Sequence, residues 1–252
     1  MSTMNQRDAI TARYYPEKAL GGYTRVDGTL EYYSRINALL HADMSVLDFG
    51  AGRGAWFKEE RIPRYIQHVR LLKGKVARCV GCDVDSAIFE NDTVDEKIII
   101  SASEKLPFAD ETFDLISADY VFEHVTNPQF IFSELSRIVR KDGWICARTP
   151  NKYGYISLMT RLINNKYHKK ILSKAQPERQ EIDVFPTAFK ANALRDIRQW
   201  FPSDQFKSYS YYYESEPSYF FNKVWCFYLM DKLNKVLPNP FKSTLMIFLK
   251  KI

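Results

Sequence analysis

The sequence predicts an α/β protein built on a doubly wound sheet of seven strands, with a C-terminal antiparallel strand and a helical, aromatic cap. Two observations carry this. The apolar run Val46-Leu47-Asp48-Phe49 enters Gly50-Ala51-Gly52-Arg53-Gly54, a strand that feeds a glycine-rich turn. From about residue 30 to 150, strand-like and helix-like segments then alternate, the mark of a parallel sheet with crossover helices. With 252 residues, of which 46% are hydrophobic, one domain spanning 1–252 is expected. Within it, 1–28 reads as a lead-in, 151–186 as a basic insertion and 215–242 as an aromatic cap between strands six and seven.

The lead-in carries Pro16, Gly21, Gly22 and Gly28 as breakers and reads as irregular. Its Tyr14, Tyr15, Tyr23 and Arg25 either fold over a ligand or pack on the sheet edge. Leu30, Tyr33, Asn37 and Leu40 mark one face of a helix before the first strand. The glycines of the first turn leave space where a ligand touches backbone, and Ala55 onward is expected to open a helix. That helical stretch breaks at Pro63, and Tyr65, Ile66, Val69 and Leu72 suggest a second one. Such a corner suits a nucleotide or nucleoside at the carboxyl end of a parallel strand.

Val76 to Asp83 is the second strand. Its terminal acid, Asp83, can accept hydrogen bonds from ribose hydroxyls, whereas Asp85 suits a helix N-cap. Ile98-Ile99-Ile100 is the third strand and Phe113 to Ala118 the fourth. Pro128 to Val139 is an amphipathic helix with Asn127 as N-cap. Ile145 to Arg148 is the fifth strand and Thr149-Pro150-Asn151 closes it. Asp183 to Thr187 reads as re-entry to the core, followed by a helix over Ala188 to Trp200. Phe206 to Tyr213 and Ser243 to Lys250 are strands six and seven.

Four segments, in order, resemble the class I S-adenosylmethionine-dependent methyltransferases, specifically the type 11, ubiquinone-biosynthesis-like enzymes that act on small molecules. Val46-Leu47-Asp48-x-Gly50-x-Gly52-x-Gly54 resembles their first motif, although Gly50-x-Gly52-x-x-Ala55 also fits a dinucleotide fingerprint. Ala102-Ser103-Glu104-Lys105-Leu106-Pro107-Phe108 through Phe113-Asp114 resembles their adenine-side run, with one extra residue before the leucine. Asp119 to Val125 resembles the motif ending Glu-His-Val, and Arg137 to Gly143 resembles the turn into the fifth strand. Arg140 replaces the usual lysine there, and Asp142-Gly143 the glycine pair. Thr149-Pro150-Asn151 resembles a subgroup acting on sugars and glycan precursors.

The resemblance implies S-adenosyl-L-methionine as cofactor and no metal. It assigns the cofactor to Asp48, Gly50, Ala51, Gly52, Gly54, Asp83, Val84, Ala102, Ser103, Asp119 and Tyr120. A hydroxyl acceptor is a weak nucleophile until its proton leaves, so a positioned base helps. His124 suits that task, or else pins the loop, and Glu123 is a second candidate. The implied reaction is O-methylation of a sugar or glycan precursor, with a quinone-like or secondary-metabolite acceptor as the alternative. A nicotinamide-dependent oxidoreductase is the competing class, but no Tyr/Lys or His/acid pair stands near the fifth strand.

The formal net charge of +6 allows an anionic or lipid-linked acceptor. Nucleic acid is not expected, because the fourth strand ends in Asp-Tyr-Val-Phe and no helix–turn–helix or zinc module is evident. Cys79 and Cys82 lack partner ligands for zinc and read as core residues. The insertion's Arg161, Lys166, Lys169, Lys170 and Lys174, with Tyr153, Tyr155 and Tyr167, read as a solvated face or a lid for an anionic acceptor. The segment holding Tyr219, Phe220, Phe221, Trp225, Phe227 and Tyr228 reads as a lid helix or a membrane-interface helix. No run is long enough to cross a bilayer and residues 1–10 are polar, so the expected location is cytoplasmic, with a peripheral contact at the inner membrane face as the alternative.

Overall fold

The structure, a computed structural model, describes residues 6–155, 157, 158, 187–218 and 220–252. In chain order its elements are α1 (Gln6–Tyr14), α2 (Gly28–Asn37), β1 (Ser45–Phe49), α3 (Arg64–Arg70), β2 (Arg78–Asp83), β3 (Glu96–Ile99), β4 (Phe113–Asp119), α4 (Pro128–Ile138), β5 (Val139–Pro150), α5 (Leu194–Trp200), β6 (Phe206–Ser208), β7 (Tyr211–Tyr213), α6 (Val224–Val236) and β8 (Thr244–Lys251). The chain divides into two compact units. One comprises Met1–Gly28, Asn151–Pro186 and Tyr212–Thr244; the other comprises Thr29–Pro150, Thr187–Tyr211 and Leu245–Ile252. The basic residues Arg161 to Lys174, the re-entry residues Asp183 to Pro186, and Tyr167 and Tyr219 lie outside the described residues.

The second unit holds the sheet. Its strand order is β3-β2-β1-β4-β5-β8-β6, with β7 also pairing β8. β1 pairs in parallel with both β2 and β4, so the winding direction reverses across β1. In a doubly wound sheet, ligands bind outside the carboxyl ends of the strands at such a reversal. β8 lies between β5 and β6 and runs antiparallel to β6, as expected of the C-terminal strand. The core is made where apolar strand residues alternate against the helices. Leu47, Val80, Leu115, Ile116 and Ile145 are all fully buried. Tyr32 of α2 joins them because its hydroxyl finds a partner, donating to the Cys146 carbonyl at 2.9 Å. Cys79 and Cys82 are likewise buried in β2, and burial pushes both thiols far up.

Several expected boundaries move. The lead-in is not irregular: α1 and a 3-10 turn over Pro16–Leu20 form there. After the glycine turn comes only a 3-10 turn, Ala55–Lys58, and Pro63 precedes α3 rather than breaking a helix. The helix expected from Ala188 begins at Leu194, because the backbone before it is committed elsewhere. Ala188 and Phe189 donate their N–H groups to the Glu123 carbonyl at 2.7 and 3.2 Å. Phe206 to Tyr213 splits into β6 and β7, giving eight strands, since the Ser210 hydroxyl accepts the Phe248 N–H at 3.2 Å.

The other unit has its own aromatic core of Ile10, Tyr15, Phe220 and Phe227, flanked by Tyr14, Val26 and Cys226. Tyr14 stacks on Phe227 at 4.9 Å, and Phe220 meets Phe227 edge-on at 4.9 Å. The lead-in tyrosines Tyr14 and Tyr15 therefore serve this core.

Leu47 sits at the centre of β1 with no exposed surface. Leu47→Ala is expected to destabilise the sheet unit by about 2–5 kcal/mol, the range for a core cavity. Denaturant unfolding followed by near-ultraviolet circular dichroism checks this; a loss under about 1 kcal/mol would place Leu47 outside the core.

Candidate functional site

Three carboxylates end three adjacent parallel strands: Asp83 on β2, Asp48 near the end of β1 and Asp119 on β4. The register places Asp48 beside Gly81 and Ser117, one residue before the strand ends. Each acid meets a different environment.

Asp83 is satisfied by the main chain. Its Oδ2 accepts the Gly52 N–H at 2.8 Å and its Oδ1 the Asp85 N–H at 2.9 Å. One oxygen therefore fixes the glycine turn. Asp85 in turn caps the 3-10 turn at Ser86–Glu90 through its bond with the Ala87 N–H. Val84, next to Asp83, is half exposed. Ala102 and Ser103 follow β3 on the same edge, both exposed, and the Ile100 N–H donates to the Asp83 carbonyl at 2.8 Å.

Asp119 is clasped by Arg148, which donates from Nε at 2.7 Å and from a terminal nitrogen at 2.8 Å. Tyr33 adds a hydroxyl at 3.3 Å. Burial alone would raise the Asp119 pKa, but the Arg148 guanidinium outweighs it and holds the carboxyl below its usual range. Tyr120 follows in the left-handed region at φ 59°, its N–H donating to the Arg148 carbonyl and its ring under the Arg148 guanidinium at 4.7 Å.

Asp48 has no hydrogen bond or ion pair among the described residues. Burial pushes its pKa up to about 7; Arg70 opposes the shift, and Asp119 and Asp83 reinforce it. Arg70 itself lies over the Trp56 ring at 4.3 Å and 3.9 Å from Asp119, with its Nε buried and unbonded.

The glycine turn is held from two sides. Gly50 adopts φ 75°, and a Cβ there would lie 2.4 Å from the Val121 side chain. Val121 follows β4, so the missing side chain lets the post-β4 segment close onto the turn. Gly54 adopts φ 64°, and its Cβ would strike the Asn91 carboxamide at 2.4 Å. Asn91 is fully buried and donates to the carbonyls of Ala51 and Gly52 at 3.1 and 2.9 Å. Beside Gly52, in contrast, a Cβ would meet nothing within 4 Å, so the bend opens outward there.

Past Val121 the chain makes a 3-10 turn, Phe122–His124. Glu123 is buried, and its Oε2 accepts the Thr149 hydroxyl at 2.8 Å. Thr149 accepts from Asn192 Nδ2 at 2.6 Å, and the same nitrogen donates to the Pro150 carbonyl at 2.9 Å. A carbonyl can only accept, so the nitrogen of the amide must face it, and the Thr149 proton is left for Glu123. Glu123 Oε1 lies 4.0 Å from His124 Nε2, and His124 is partly exposed.

The structure thus brings Asp48, Gly50, Ala51, Gly52, Gly54 and Asp83 to one rim and sets Glu123 beside His124 on the adjoining turn. The sequence reading missed Asn91, Arg70, Arg148 and Asn192. No local pattern marks them, because each acts through a partner distant in sequence.

Residues 25–211 match the family described as a methyltransferase domain. An uncharacterised methyltransferase of Schizosaccharomyces pombe is 23% identical over 161 residues, covering 62% of this chain and 54% of that protein. A malonyl-[acyl-carrier protein] O-methyltransferase of Legionella pneumophila is 28% identical over 134 residues, 51% of this chain and 44% of that protein. The chain therefore spans about half the length of these curated relatives. Among solved structures, a putative S-adenosylmethionine dependent methyltransferase from Listeria monocytogenes superposes with a TM-score of 0.54 at 12% identity, covering 89% of this chain and 98% of that one.

The raised pKa of Asp48 sets a pH dependence. The folded state holds the proton up to about pH 7, whereas the unfolded chain releases it near 3.8. Stability from this group is therefore complete below about pH 4 and lost as pH rises through about 7. Asp48→Asn is expected to raise the melting temperature of the ligand-free protein above pH 7 and to converge with wild type near pH 4. A gap that does not change with pH would show that Asp48 keeps an ordinary pKa.

Proposed function

The chain belongs to the methyltransferase domain family, and we propose that it transfers a methyl group from S-adenosyl-L-methionine to a hydroxyl of a sugar or glycan precursor. The family and the fold imply this cofactor and leave the nicotinamide reading without support. When bound, S-adenosyl-L-methionine supplies an electrophilic methyl carbon attached to a positive sulfur. The rim suits its two ends. Gly50, Ala51, Gly52 and Gly54 form a bend packed by Val121 and Asn91 at its two ends and open at Gly52. Asp83 keeps lone pairs beyond its two main-chain bonds and can accept from ribose hydroxyls. Val84, Ala102 and Ser103 flank the adenine side in this reading. Asp48, an acid without a partner among the described residues, receives the cofactor's ammonium group. The Asp119 carboxylate is committed to Arg148, so Asp119 and Tyr120 contribute through the backbone they hold in place.

The observation that carries the hydroxyl acceptor is the Glu123–His124 pair. Thr149 and Asn192 fix one oxygen of Glu123 and leave the other facing His124 Nε2. His124 takes the hydroxyl proton as the oxygen attacks, and Glu123 stabilises the imidazolium that results. The 4.0 Å separation closes as charge develops on the ring; such contacts are often long without ligand. The sugar assignment rests on the likeness of Thr149-Pro150-Asn151 to glycan-acting enzymes, and the net charge of +6 suits an anionic sugar precursor.

A second reading comes from the Legionella pneumophila relative, whose name gives malonyl-[acyl-carrier protein] as its substrate. An acceptor carboxylate is already ionised and needs no base. The two readings therefore separate at His124.

Asp83→Ala is expected to weaken S-adenosyl-L-methionine binding by about one to two orders of magnitude, the range for losing charged hydrogen bonds. Calorimetry showing unchanged affinity would remove Asp83 from the ribose. A screen with labelled cofactor over nucleotide sugars, lipid-linked sugars, quinones and carboxylates identifies the acceptor; transfer to quinones or carboxylates alone would overturn the sugar reading. With a hydroxyl acceptor, His124→Ala is expected to lower kcat by roughly 10²–10⁴-fold while cofactor affinity holds. Thr149→Val moves kcat in the same direction and Thr149→Ser restores it. Full turnover in His124→Ala would show that no base acts there.

A further inference from the structure

The unit with the aromatic core presents an exposed apolar face on α6. α6 is a 13-residue helix with two distinct sides. Its inner side is fixed: Phe227 is fully buried against Tyr14 and Phe220, and the buried Asp231 accepts the Tyr15 hydroxyl at 2.7 Å. These anchors set the rotation of the helix about its axis. They turn Trp225, Leu229 and Val236 outward, 65%, 60% and 77% exposed. At about 100° per residue these three fall within an arc of roughly 40°. Leu233, 38% exposed, widens that arc on one flank. On the other flank stand Tyr228 and Lys232, whose ammonium lies 5.7 Å from the Tyr228 ring centre.

We propose that this outward face docks the protein on an anionic lipid surface. Charge selects the occupant. Between residues 217 and 243 the sequence has four lysines, Lys223, Lys232, Lys235 and Lys242, and one acid, Asp231. That acid points inward and is bonded to Tyr15 and Lys235, so it balances Lys235 and leaves Lys223, Lys232 and Lys242 without an acid in this stretch. A second copy of the chain would set lysine flank against lysine flank and be repelled. A bilayer carrying anionic headgroups satisfies both features: the indole and aliphatic side chains enter the headgroup boundary while the lysines meet phosphates. An exposed tryptophan in such a stripe also has the right form, an apolar body with one polar edge. A 13-residue helix is about 20 Å long, too short to cross a hydrocarbon core of about 30 Å. It lies in the plane of the interface, and its binding is reversible. The proposal stands whether or not the acceptor is a sugar, and a lipid-linked acceptor would be presented on the same surface.

The test is co-sedimentation of the full chain with phosphatidylcholine vesicles, with and without phosphatidylglycerol. Binding is expected only with phosphatidylglycerol and weakens as salt increases. Lys223→Gln combined with Lys232→Gln is expected to reduce partitioning by roughly 30-fold, from about 1 kcal/mol per basic residue near an anionic surface. Trp225→Ser combined with Leu229→Ser is expected to abolish it. Both variants should keep the wild-type melting temperature and affinity for S-adenosyl-L-methionine; the lysine pair decides if the apolar pair does not fold. Equal binding to neutral vesicles, no binding to either, or unchanged partitioning of the lysine variant would overturn the proposal. So would a dimer in solution that Trp225→Ser dissociates, which would make this face a contact between copies.

Discussion

The cost of burying carboxylates at the ends of β1 and β4, with Asp83 at the end of β2 beside them, is the constraint to which the rest of the rim answers. Three acids on adjacent strands of a parallel sheet cannot all be ionised cheaply without compensation. Asp83 is compensated by two main-chain N–H groups, and Asp119 by a two-point ion pair with Arg148. Asp48 has neither, and its pKa rises to about 7. Burial therefore keeps the proton on Asp48 up to about pH 7. A cation beside it would favour its ionised form.

The compensation also explains the shape of the site. The bond from Gly52 to Asp83 ties the bend to β2, Asn91 ties it again through two carbonyls, and Gly50 lets Val121 pack against it from β4. A bend fixed at three points keeps its amides and carbonyls in one arrangement without a ligand, so little ordering is left to occur on binding. These ties are hydrogen bonds and one steric gap, and a Cβ at Gly52 would meet nothing within 4 Å.

Much of this was legible in the sequence, for identifiable reasons. The glycine turn, the acid ending β2, the Asp85 cap and the Asn127 cap are local signals, each set by residues within a few positions of one another. The parallel, doubly wound character of the sheet followed from alternation, and β8 from its apolar run near the end of the chain. What could not be read is what depends on distant partners. Asn91 reaches back about forty residues to the glycine turn, and Arg148 reaches back 29 to Asp119. The late start of α5 has the same origin, since no propensity scale reports that Glu123 already claims the amides of Ala188 and Phe189. The α1 helix escaped because its apolar face is narrow, with only Ile10 and Thr11 buried.

The same long-range bonds separate what the fold keeps constant from what it can vary. The rim is made by strand ends and the glycine turn, parts that any sheet of this winding supplies. The Glu123–His124 turn is instead secured by Thr149 near the end of β5 and by residues 188–192. Its backbone carbonyl receives the amides of Ala188 and Phe189, and its carboxylate is oriented by Thr149, which Asn192 orients in turn. Residues 188–192 follow directly on the 151–186 insertion. The chain therefore re-enters the sheet unit by binding the acid that flanks His124. The Glu123–His124 turn and the rim are held by different sets of hydrogen bonds.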